Sequence, residues 1–153
     1  TGVNMDAGAV ATLKEHPNIV GLKEASGNIS QVCRLAAHIS EDFSIYSGND
    51  DQTVPILSLG GRGCISTVSN LIPAAYSRMI HDYLEGNVCE AAKTQVALKP
   101  LIDAIFSEVN PIPVKAALHI MDKCELEYRL PLCPPGNKTQ YMLYETLKDY
   151  QLL

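Results

Sequence analysis

An amine at the end of an apolar run is the first feature of chemical interest. Ile19-Val20-Gly21-Leu22 reads as a buried strand, and it ends at Lys23, followed by Glu24, a small-residue turn and a helix. Lysine is among the residues least often buried. In barrels of parallel strands alternating with helices, the C-terminal strand ends form the active face. Desolvation at such a place disfavours the ammonium form, and the free amine attacks carbonyl carbons to form Schiff bases. The residue types alone leave a second reading open, a solvated lysine paired with Glu24.

Other stretches carry weaker signals. In Tyr46-Ser47-Gly48-Asn49-Asp50, Gly48 follows a second strand and lets the backbone approach a ligand, while Asn49 and Asp50 suit the cap of the next helix. An ordinary strand-to-helix turn has the same composition. Leu59-Gly60-Gly61-Arg62-Gly63 looks like a phosphate loop, but it precedes a third strand and so falls on the structural face of such a fold. Ile65, toward the other end of that strand, reads as core from its type alone. Lys115 reads as a surface residue, and Tyr141, Tyr144 and Tyr150 as packing residues of the last helix.

Several function classes are excluded by composition. The chain has 153 residues and a net charge of −5, without the clustered Lys and Arg that nucleic acid requires. No apolar stretch approaches the roughly 18 residues of a membrane span. The five cysteines are odd in number and show no C-x-x-C spacing, which fits reduced thiols of a cytoplasmic protein. The four histidines are scattered, so no metal site is expected.

Elements that position these residues follow from periodicity. Helix is expected over residues 4–16, capped by Asn4 or Asp6. A strand is expected over 18–25, then a helix over 26–40 capped by Ser26 or Asn28, with Ile29, Val32, Cys33, Leu35, Ala36 and Ile39 on its buried side. Residues 43–48 give a second strand, 49–61 a short helix with Pro55 in its first turn, and 63–69 a third strand. This alternation predicts an α/β fold with a parallel sheet. Beyond Asn70 the pattern is helical: 73–87, then a long helix over 88–109 kinked at Pro100, another behind Pro111 and Pro113, and a last one over 138–153. The boundary is placed at residue 87, with α/β structure over 1–87 and a helical subdomain over 88–153.

Taken together, "VGLKEASGN", "YSGNDD", "LGGRGCIS", "NPIPVKAAL" and "RLPLCP" resemble the dihydrodipicolinate synthase branch of the pyruvate-dependent class I aldolases. The resemblance runs from Thr1 to Leu153. It implies the C-terminal part of a (β/α)8 TIM barrel, about strands six to eight, followed by an α-helical subdomain. It implies that Lys23 forms a Schiff base with pyruvate, whose enamine then attacks L-aspartate 4-semialdehyde in lysine biosynthesis. By the same resemblance the backbone of Ile65 contacts the pyruvate carboxylate and Gly48 lines the same pocket. No metal or organic cofactor is implied, and the family is commonly tetrameric.

The resemblance also implies a missing N-terminal half, which carries a Thr pair, proton-relay tyrosines and an arginine. The opening Thr1-Gly2-Val3-Asn4 has no initiator Met and no signal-like region, and reads as a cut within a longer protein. Residues 1–153 alone are therefore expected to be inactive. Two alternatives remain: a related N-acetylneuraminate lyase or 2-keto-3-deoxy sugar-acid aldolase, and a non-catalytic oligomerisation module.

Overall fold

The computed structural model describes residues 2–153. Its first helix, α1 (Ala7–Leu13), starts at Asp6, whose carboxylate accepts from the Ala9 N–H at 2.8 Å. That bond satisfies a donor which the first turn cannot pair. Strand β1 (Gly21–Glu24) follows, then α2 (Ile29–Ala36). Of its two candidate caps, Asn28 serves: its Oδ1 accepts from Gln31 N at 3.2 Å. Strand β2 (Ser44–Ser47), a 3-10 turn over Asp50–Gln52, α3 (Thr53–Ser58) and β3 (Gly63–Cys64) complete the α/β part.

The three strands form one parallel sheet in the order β1-β2-β3. Lys23 pairs with Tyr46, and Tyr46 pairs with Gly63. The third strand is much shorter than the expected 63–69. Ile65 still donates its N–H to Ser47 O at 2.8 Å, but the backbone then turns into a 3-10 segment over Val68–Asn70.

By contacts the chain divides into two compact units. One holds the stretch up to Ser66 together with Ile80–Ala92; the other holds Thr67–Met79 and Lys93–Leu153. In the first unit the core is Val10, Val32, Leu35, Phe43, Ile45 and Ile56, with Leu22 and Ile39 packed against it. This core lies where the helices meet one face of the sheet, because Leu22 and Ile45 alternate with Lys23 and Tyr46. Two residues expected on the buried side of α2, Ile29 and Cys33, are exposed. The buried stripe runs through Val32 and Leu35, and successive helical residues are turned by about 100°, so Cys33 points away from it.

Helix α4 (Pro73–Leu84) opens at a proline and is followed by Gly86 at φ +93°, the residue type such a backbone favours. The long helix expected over 88–109 is two helices, α5 (Val88–Ala97) and α6 (Lys99–Ile105). Pro100 has no N–H to offer Val96 O, and the helix is interrupted at Leu98 rather than kinked. Two more helices follow, α7 (Ile112–Ile120) and α8 (Asn137–Asp149).

In the second unit α8 packs on α6 and α7. Leu101, Ile105, Ala117, Leu143 and Leu147 are each 0% exposed. Lys115 is half-buried, its ammonium 5.5 Å from the centre of the Tyr128 ring, and Tyr128 donates its hydroxyl to Ile112 O at 2.9 Å. Burial, followed by charge at Cys124, Glu108 and Cys133, raises the Tyr128 phenol above its ordinary value, so it remains a donor at neutral pH. Of the tyrosines expected to pack, Tyr141 and Tyr144 are exposed, while half-buried Tyr150 donates its hydroxyl to Ala97 O. Truncating Leu143 to Ala leaves a cavity in this core. It is expected to destabilise the protein by about 2–5 kcal/mol, read as a lower urea midpoint at unchanged slope.

Candidate active site

The site forms where β1 and β2 end side by side. Lys23 is the third residue of a four-residue strand, and its side chain is exposed on the sheet face away from the helices. Its Nζ has no hydrogen-bond or ion-pair partner among the described residues. The pairing with Glu24 offered by the surface reading does not form. Alternation sends Glu24 to the opposite face, where it is 5% exposed and accepts from Ser26 N at 2.7 Å.

An open groove of about 840 Å³ extends from Lys14, His16 and Asp42, which precede the strands, to Lys23, Tyr46 and Ile65 near their ends. Tyr46 stands beside Lys23 in register, and sequence reasoning gave it no part in this face. The alternation of Ile45 inward and Tyr46 outward was the signal that could have found it. Ile65 also borders the groove and is 54% exposed, so the expectation that its side chain is core is corrected. Ile65 follows a two-residue strand at the sheet edge, which leaves its side chain about half open.

Gly48 sits against the stem of Lys23. A Cβ built there would lie 3.0 Å from Lys23 Cε, 3.0 Å from Glu24 O and 2.7 Å from Ala25 Cβ. Real side-chain carbons do not approach backbone and methyl groups so closely. The Gly48 N–H donates to Glu24 O at 2.6 Å, which ties the end of β1 to the loop after β2. That loop is held by Ser47, fully buried, whose hydroxyl donates to Asn49 O at 2.7 Å and accepts from Asn49 N at 3.2 Å. Asn49 takes the cap position of the 3-10 turn without a side-chain cap bond, and Asp50 is buried.

At the other side of the lysine turn, Asn4 and Gln31 exchange amide hydrogen bonds. Asn4 Nδ2 donates to Gln31 Oε1 at 2.7 Å, and Gln31 Nε2 donates to Asn4 Oδ1 at 3.1 Å. The segment before α1 is thereby fastened to the start of α2. The turn itself passes through Gly27 at φ +74°, a backbone that side chains with a Cβ rarely adopt.

Fold and lysine together define a class: an α/β chain of alternating strands and helices whose parallel strands end at an open, lysine-bearing edge. Residues 1–150 match the Dihydrodipicolinate synthetase family, and the chain belongs to it. A curated relative, the 4-hydroxy-tetrahydrodipicolinate synthase of Alkaliphilus oremlandii, is 44% identical over all of this chain and 53% of its own length. The dihydrodipicolinate synthase structure from Thermotoga maritima superposes with a TM-score of 0.96 at 41% identity, covering 100% of this chain and 53% of that one. The chloride-inhibited dihydrodipicolinate synthase of Acinetobacter baumannii, solved in complex with pyruvate, gives a TM-score of 0.94 at 33% identity, covering 100% and 53%. The chain thus spans about half the length of the relatives it matches. No helix among the described residues is long and apolar enough to cross a membrane.

Proposed function

We propose that residues 1–153 are the lysine-bearing part of a 4-hydroxy-tetrahydrodipicolinate synthase, contributing strands six to eight of a (β/α)8 barrel and, over 88–153, its helical subdomain. Lys23 Nζ adds to the keto carbon of pyruvate and water leaves, forming a protonated imine. The imine accepts the electron pair left when the pyruvate methyl loses a proton, and the enamine so formed attacks the aldehyde carbon of L-aspartate 4-semialdehyde. The second half of the barrel, carried ahead of Thr1, covers the groove, supplies the proton relay and removes water from around the amine. Cytoplasmic placement and a tetramer go with this reading.

The observation that carries it is Lys23 itself: an amine at the C-terminal end of a parallel strand, on an open face, with no charge paired to it among the described residues. Ile65, which borders the groove, and Gly48, which lies against the Lys23 stem, line the pyruvate pocket in this reading.

The test uses the completed protein, in which residues 1–153 follow the segment that the relatives carry ahead of them. Pyruvate with borohydride is expected to leave a carboxyethyl group on Lys23, located by peptide mass mapping. Turnover with the semialdehyde, against a panel of sugar-derived aldehydes, then fixes the acceptor. An adduct with only sugar aldehydes accepted would assign a sister aldolase. Assembly without any adduct would leave an oligomerisation module.

Gly48→Ala gives a further expected outcome. The added methyl group must displace Lys23 Cε or Ala25. Misplacing a reacting group by about 1 Å costs on the order of a hundredfold, so adduct formation should slow by about ten- to a hundredfold. The overpacking adds about 1–3 kcal/mol of destabilisation, measured by thermal melting.

A further inference from the structure

Glu24 is a buried carboxylate that the proposed chemistry does not use. It is 5% exposed, on the opposite sheet face from its neighbour Lys23. Burying a carboxylate is costly unless hydrogen bonds hold it. The bond it makes is short and local: Oε1 accepts the Ser26 N–H at 2.7 Å, the length of a charge-assisted bond. Its own carbonyl accepts the Gly48 N–H at 2.6 Å. One residue therefore fixes both sides of the lysine. The side chain closes the turn that leaves β1, and the main chain fastens the Gly48 loop against which the Lys23 stem lies.

From this geometry we infer that Glu24 is a positioning residue for the Lys23 amine, acting from behind the sheet through the 24–26 turn. The inference rests on the assignment of the Schiff base to Lys23. A strand end is the least restrained part of a strand, and the backbone here runs from β1 through Ala25 and Ser26 to Gly27 at φ +74°. Without the carboxylate, the Ser26 N–H loses its acceptor and the turn is free to rotate. That rotation moves the Cα from which the lysine projects. A neutral amide at the same position still offers an oxygen, but a weaker acceptor.

The experiment follows pyruvate adduct formation in the completed protein, per folded molecule, for the parent, Glu24→Gln and Glu24→Ala. Folded fraction comes from near-ultraviolet circular dichroism. Amide hydrogen exchange at Ser26 and Gly48 is measured without pyruvate. The expected order is graded: Glu24→Gln a few-fold slower, Glu24→Ala about ten- to a hundredfold slower, with faster exchange at both amides. Parent rates in both variants, or equal losses in the two, would overturn the inference while the parent adduct on Lys23 stands. Where Glu24→Ala does not fold, a parent rate and parent exchange in Glu24→Gln overturn it, and slowing of both kinds supports it. Absence of an adduct on Lys23 in the parent removes the underlying assignment instead, and the inference with it.

Discussion

Lys23→Arg is expected to leave the completed protein folded and without a trappable adduct. Arginine keeps the positive charge and much of the length of the side chain, and Lys23 is exposed with no paired group to disturb among the described residues. What changes is nucleophilicity. The guanidinium stays protonated at any pH a protein survives, so it offers no free electron pair to the keto carbon. Removing a covalent nucleophile costs far more than removing a positioning contact, because no other group opens the same route. Condensation should fall by about a thousandfold or more, and borohydride with pyruvate should label nothing. Peptide mapping of the reduced protein reads the label, and thermal melting shows that the fold is kept. A labelled Lys23→Arg protein would place the Schiff base on another lysine and end the proposal.

Much of this geometry is legible in the sequence, for identifiable reasons. Asp6 and Asn28 cap their helices because a short side-chain oxygen before an apolar-periodic run has little else to bond. The parallel order of three strands follows from their alternation with short helices. Lys23 stands out because an apolar run seldom ends in an ammonium group. Where the reading fails, it fails on faces. A parallel strand of a barrel is apolar on both sides, so Ile65 looked like core although its face is open here. Glu24 looked like a surface partner for Lys23, yet a period of two sends neighbours to opposite sides of the sheet. Ile29 and Cys33 fall on the stripe that apolar periodicity predicts, whereas the position of the buried stripe on α2 is set by Val32 and Leu35. Pro100 lies two residues beyond the break at Leu98 because a proline acts on the turn before it, not on its own position.

Residues 1–153 expressed alone are expected to show no condensation above buffer, and the completed protein to restore it. The reason lies in what the sheet leaves uncovered. β1 and β3 each pair on one side only, and parallel sheets are stable when both faces are covered. On the lysine face Val20 is 67% exposed, Ile65 54% and Tyr46 36%. Each 100 Å² of apolar surface left in water forgoes about 2.5 kcal/mol, against a net stability of about 5–15 kcal/mol for a whole domain. A few such patches consume the margin. On the proposed reading the groove meanwhile stays open to water and lacks its proton relay. Both effects point the same way, and two measurements separate them. Dye binding and a shallow urea transition would report an uncovered core. A folded chain that labels with pyruvate but does not condense would report a groove left open and without its relay. Robust turnover by the isolated chain at neutral pH would mean that these strands need no further half-barrel to form the site.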